Sequence, residues 1–176
     1  MVNEAGYIKV GGSFITKSYN NHEGYLTAGT LEVKGDFIQK AYSSSYPGNF
    51  RASGTHKVIL SGEKLQKVSF DTPGQSYFNI FEIRNNSKDG VIFENVLAAK
   101  KLILNDSNIS AISVGAINWE LTEDVTIKSD LYITGSVINL NGYKLKVEGN
   151  LIQTGGTLYI NGGQLYVEGD YKIENN

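Results

Sequence analysis

Apolar residues recur at alternate positions along the chain in short bursts, and a small or turn-forming residue closes each burst. In the C-terminal third the bursts become phrases. Residues 125–131 (VTIKSDL) return as 145–151 (LKVEGNL) and as 165–171 (LYVEGDY), 20 residues apart, and 135–142 (GSVINLNG) aligns with 155–162 (GGTLYING) at the same spacing. Upstream the same template fits Ile8/Val10, Leu31/Val33, Val58/Leu60, Phe81/Ile83 and Leu102/Leu104, which makes eight copies separated by 20 to 27 residues. Period-two alternation that ends in a turn predicts short strands. The one helix-like stretch, 96–102 (VLAAKKL), merges into a strand copy and is too short to stand alone.

Three aligned columns sharpen this. The second apolar position reads Val10, Val33, Leu60, Ile83, Leu104, Ile127, Val147 and Val167, and is expected to stack as one core ladder. Two residues on stand Gly12, Gly35, Gly62, Asn85, Asp106, Ser129, Gly149 and Gly169. Gly, Asn and Asp adopt positive φ at least cost, so this column predicts one corner of a coil repeated in place. The next column, Ser13, Asp36, Glu63, Asn86, Ser107, Asp130, Asn150 and Asp170, is polar throughout and suits residues that hydrogen-bond their own turn. The expected fold class is therefore all-β: a single-stranded parallel β-helix, or β-solenoid, of about eight rungs of 20–27 residues. Parallel crossovers favour the right-handed form. A β-sandwich also spaces short strands regularly, but it does not demand one residue class at one place in every strand. Residues 1–176 read as a single β-solenoid domain. Neither end shows a cap, since the template is entered at Tyr7 and still runs at Tyr171. That predicts either a segment of a longer array or a unit that stacks end to end through its open strands.

Composition narrows the chemistry. With 16 basic and 18 acidic residues the net charge is −2, so no basic surface for nucleic acid is expected. No apolar run approaches a membrane span, and no membrane insertion is expected. There is no Cys for disulfide or thiol chemistry, and 20 Gly against 2 Pro means that turns are made without Pro. Two His, His22 and His56, and two Arg, Arg51 and Arg84, leave few candidates for a triad, a zinc site or Arg-assisted lyase chemistry. Neither a calcium repeat nor a phosphate-binding glycine loop is present. The chain reads as a non-enzyme without metal or cofactor. His56, just before the Val58 strand, is expected at the surface.

Three longer connections, 18–25 (SYNNHEGY), 42–51 (YSSSYPGNFR) and 71–77 (DTPGQSY), expand at a similar point of successive rungs. Stacking would lay them side by side and gather Tyr19, His22, Tyr25, Tyr42, Tyr46, Phe50, Arg51 and Tyr77. Aromatic rings interleaved with Asn, Ser and Arg suit sugar rings or a protein partner. The competing expectation is that these rings pack beneath their own loops as satellite clusters.

The repeated phrase, with Gly-Thr-Leu and Asn-Gly-Gly between copies, resembles the right-handed parallel β-helices of large repetitive bacterial surface proteins. Residues 24–37 (GYLTAGTLEVKGDF) and 54–62 (GTHKVILSG) in particular look like phrases in secreted or wall-associated proteins of clostridia and related Gram-positive bacteria. The resemblance spans nearly the whole chain and implies a haemagglutinin- or adhesin-like architecture at an extracellular or cell-surface location. It supplies no catalytic residues. The expected function is a rigid stalk, spacer or fibre-forming module whose partners are neighbouring rungs or a second copy. Carbohydrate binding by the Tyr-rich loops, to a cell-wall or other polysaccharide, is the alternative, and a polysaccharide lyase-like enzyme comes third.

Overall fold

The structure, a computed structural model, describes residues 1–46, 48–104, 111–114 and 118–174, the strand at 111–114 by its backbone. The first rungs each carry two strands: β1 (Tyr7–Val10) and β2 (Phe14–Thr16), β3 (Thr30–Val33) and β4 (Phe37–Gln39), β5 (Lys57–Leu60) and β6 (Gln66–Phe70), β7 (Phe78–Ile83) and β8 (Val91–Phe93), β9 (Ala99–Ile103) and β10 (Ala111–Val114). The later rungs carry three: β11 (Asn118–Glu120), β12 (Val125–Ile127) and β13 (Asp130–Ile133), then β14 (Val137–Asn139), β15 (Lys144–Val147) and β16 (Leu151–Gln153), then β17 (Thr157–Tyr159), β18 (Gln164–Val167) and β19 (Tyr171–Ile173). Strands β1, β3, β5, β7 and β9 form one sheet, and β2, β4, β6 and β8 a second. Further along, β10-β13-β16-β19, β11-β14-β17 and β12-β15-β18 form three faces. All strand pairings are parallel, β8 lies beside β10, and β9 lies beside β11. The chain is thus a parallel β-solenoid of about seven turns, with no helix among the described residues.

Two details differ from the columns read in the sequence. Register pairs Val10 with Val33, Val33 with Leu60 and Leu60 with Ile83, and separately Ile127 with Val147 and Val147 with Val167. Between these runs β9, which precedes Leu104, lies against β11, while Ile127 begins the new face β12-β15-β18. The ladder is therefore two ladders. Repeated phrases mark strands and corners but not which face a strand joins, and a third face opens where the rungs become three-stranded. The eight copies likewise correspond to about seven turns, because the turns lie between successive layers.

The second difference concerns the corner column. Gly12, Gly35, Gly62, Asn85, Ser129, Gly149 and Gly169 do not have positive φ, and Asp106 lies outside the described residues. Positive φ falls instead at the Asn-Gly corners, Asn141 (49°) with Gly142 (86°) and Asn161 (42°) with Gly162 (77°). The corner glycines answer to a different constraint. A Cβ on Gly35 would stand 2.5 Å from the carbonyl carbon of Gly12, and one on Gly149 would stand 2.7 Å from the backbone nitrogen of Asp130. The rung beneath leaves no room. Asn85 is a fully buried clamp that donates to the carbonyl of Lys64 (2.7 Å) and to Gln66 Oε1 (3.1 Å).

Aromatic residues sort by type. All seven Phe lie between positions 14 and 93, where the rungs are longest. They interlock inside, with Phe37 within 4.6–5.6 Å of Phe14, Phe50, Phe70 and Phe78, and Phe78 stacked on Phe81 at 4.4 Å. A longer rung encloses a wider cross-section, and large rings fill it. The 20-residue rungs are filled by Ile127, Leu131, Ile133, Ile138, Leu140, Leu145, Val147 and Leu151, all fully buried. Ten of the eleven Tyr face solvent, and Tyr77 is half-buried.

Candidate functional site

The three long connections meet at one corner of the first rungs, and Asn49 is the reason. This fully buried side chain donates to the carbonyls of Ser18 (3.3 Å) and Lys40 (2.6 Å), accepts from Gln39 Nε2 (3.3 Å), and its backbone N–H donates to Ser76 Oγ (3.0 Å). One residue thereby ties all three loops together, through its side chain and its backbone, which satisfies polar groups that burial would otherwise strand. Arg51 braces the same junction from outside. Its guanidinium pairs with Glu23 (3.2 Å) and donates to the carbonyl (2.9 Å) and side-chain oxygen (3.3 Å) of Gln75.

Above this clamp the tyrosines gather. The Tyr19 and Tyr46 rings lie 4.2 Å apart with their hydroxyls 3.1 Å from each other, and Tyr42 meets Tyr19 edge-on at 5.9 Å. The hydrogen bond to Tyr19 raises the Tyr46 phenol above its ordinary pKa. Beside the pair opens a cleft of about 540 Å³ lined by Tyr19, Asn20, Asn21, His22, Tyr25 and Tyr46. The rings stay open to solvent: Tyr19 is 57% exposed, Tyr25 69% and Tyr46 41%. His22 turns the loop at a φ of 54°, and the backbone N–H of Tyr25 donates back to its carbonyl (3.1 Å).

Of the residues singled out in the sequence, Tyr19, His22, Tyr25 and Tyr46 line this cleft, and Tyr42 supports it from behind Tyr19. Three do not join them. Phe50 is 2% exposed and packs against Phe37 at 5.0 Å, so it belongs to the core. Arg51 is spent on the Glu23 and Gln75 contacts. Tyr77 lies apart, with the Lys100 ammonium 5.1 Å above its ring. Sequence reasoning passed over Asn20 and Asn21 as lining residues and Asn49 as the clamp. The first two sit inside the quoted loop, but nothing in a single sequence distinguishes a buried loop Asn from a solvated one.

His56 also departs from expectation. It is fully buried, its ring edge-on to Phe50 at 5.9 Å, and neither ring nitrogen has a hydrogen-bond partner among the described residues. Burial first, and the positive N-terminus second, lower its pKa from 6.5 to about 4. The aromatic shell that the long rungs require has closed over it. No family model matches the chain, and no curated protein or solved structure matches it.

Proposed function

We propose that the chain is a non-enzymatic structural module, a rigid spacer or fibre-forming segment of a bacterial surface protein, lengthened by the addition of rungs. What supports the reading above all is the strand register, kept without slippage from layer to layer along each face. A stack held by neighbour interfaces resists bending and lengthens by simple addition. Side chains reinforce each interface. The Oγ of Ser13 accepts the N–H of Asp36 (3.0 Å), Asp36 Oδ1 that of Lys67 (2.8 Å), Asp130 Oδ1 that of Asn150 (2.7 Å) and Asn150 Oδ1 that of Asp170 (2.9 Å). These corner residues therefore bond the next rung instead of their own turn.

Three of the four His and Arg side chains are committed elsewhere, His56 to the core, Arg51 to the loop junction and Arg84 to Glu82 at 2.5 Å, which leaves His22 in the cleft. The surface location rests on the resemblance of residues 24–37 and 54–62 to wall-associated proteins. The inward positions Ile8 and Ile173 of the outermost described layers are 47% and 70% exposed, so a further rung, of the same chain or of a second copy, would bury apolar surface there.

Duplicating residues 145–164 tests this. The expected product folds, melts no lower than the parent, and is longer by about 4.8 Å in small-angle scattering. Failure to lengthen would refute the additive rod. Turnover of a polyuronate or other polysaccharide, lost on a single carboxylate change, would refute the non-enzymatic reading.

A further inference from the structure

We propose that the cleft between the loops 17–29 and 40–56 binds a neutral saccharide, with the Tyr25 and Tyr19 rings as stacking faces and Asn20, Asn21 and His22 as hydrogen-bonding partners. This does not depend on the rod reading, since a rod can carry such a site or lack one. Shape comes first. A cleft of about 540 Å³ lies within the roughly 300–1,000 Å³ range of small-molecule sites.

Preorganisation comes second. Exposed aromatic rings normally lose rotamer freedom on binding, but Tyr19 is already fixed between Tyr42 and Tyr46, and the loops beneath are fixed by Asn49. On the Tyr19 side of the cleft little ordering remains to be done when a ligand arrives, and Tyr25 is the ring that settles onto it. The rings nevertheless keep 41% to 69% of their surface in water, which distinguishes them from a satellite cluster packed under its own loops.

The lining chemistry then selects the ligand. Tyr faces supply apolar area for the C–H face of a pyranose ring, while phenol, carboxamide and imidazole groups can both donate to and accept from hydroxyls. No Lys, Arg, Asp or Glu is among the six lining residues. The nearest guanidinium, Arg51, is neutralised by Glu23 and held by Gln75. The lining itself offers a uronate or sulfated glycan no cationic partner, so it favours a ligand whose recognition rests on ring stacking and neutral hydrogen bonds. A hexose or N-acetylhexosamine polymer is such a ligand.

The test is calorimetry of the whole chain with cello-, chito-, manno- and laminari-oligosaccharides, with polygalacturonate as the charged probe, in low salt and in about 0.5 M salt. The expected result is binding of at least one neutral series, unchanged by salt, weakened by at least about tenfold in Tyr25→Ala and retained in Tyr25→Phe and Tyr77→Ala. Tyr25 is 69% exposed, so its truncation leaves the fold intact, which near-ultraviolet circular dichroism checks. The proposal is overturned if no neutral series binds, if Tyr25→Ala binds like the parent, or if only polygalacturonate binds and high salt abolishes it. Scattering dimensions of the same samples report on the rod separately.

Discussion

At His56 an ionisable ring sits where no charge can be tolerated, and the consequence is a pH dependence with a definite sign. The unfolded chain takes up the proton near 6.5 and the folded chain only near 4, so between those values the unfolded state holds more protons. The stability tied to His56 is complete above 6.5 and is lost as pH falls through 4, on the order of 3 kcal/mol in all. Glu82 acts lower on the scale. Burial opposes ionisation, but hydrogen bonds from Arg84 and Lys57 hold its carboxyl below the usual 4.5, so its contribution is lost only beneath that value. The urea midpoint should therefore decline between pH 6.5 and 4.5 in the parent chain, and His56→Leu should flatten that decline. An equally steep decline in the variant would assign the dependence to another group.

Strands and corners obey the stack more than their own propensities. The corner glycines show this best, because the same residue meets different surroundings in successive layers. A Cβ at Gly35 meets the backbone of Gly12 and Ser13 at 2.5 and 2.6 Å, whereas one at Gly12 meets nothing within 4 Å. Gly35→Ala should lower the unfolding free energy by about 2 kcal/mol, as overpacking does. Gly12→Ala should leave it unchanged or raise it by a few tenths, since only the unfolded chain loses freedom. Thermal or urea unfolding of the two variants side by side checks both signs, and equal losses would contradict the stacking account of the column.

The strands themselves were legible in the sequence because the inward positions at Val33, Leu60 and Ile127 must be apolar in every layer. The face each strand joins was not legible. Ile127 and Leu104 carry the same local phrase, but β11 takes the place beside β9 and Ile127 falls on the inserted strand β12, which opens a new face. The aromatic loops were legible as a group because insertions at one corner must stack. Which rings turn inward was not, since Phe50 and Tyr46 differ locally by little more than a hydroxyl, and that hydroxyl keeps Tyr46 in water while Phe50 completes the phenylalanine core.

Across the whole molecule the near-neutral charge removes long-range repulsion between layers, and cross-rung pairs such as Lys9 with Glu32 (3.1 Å), Lys57 with Glu82 (3.0 Å) and Lys146 with Glu168 (2.8 Å) alternate sign along the faces. Interior layers have two neighbours and end layers one, so the ends are the least stable part of the array. The segregation of aromatic residues makes that gradient observable. The single Trp, Trp119, is 2% exposed on β11 in an inner layer, whereas Tyr7, Tyr159, Tyr166 and Tyr171 sit in the outermost layers. Tyrosine signals thus draw on the end layers as well as inner ones, whereas the tryptophan signal comes from an inner layer alone. If the stack frays from its ends, the tyrosine circular dichroism should begin to change at a lower urea concentration than the tryptophan emission. Coincident curves would show that the layers melt as a single unit. The inner position of its one indole equips this chain with an intrinsic clock for the order in which its layers come apart.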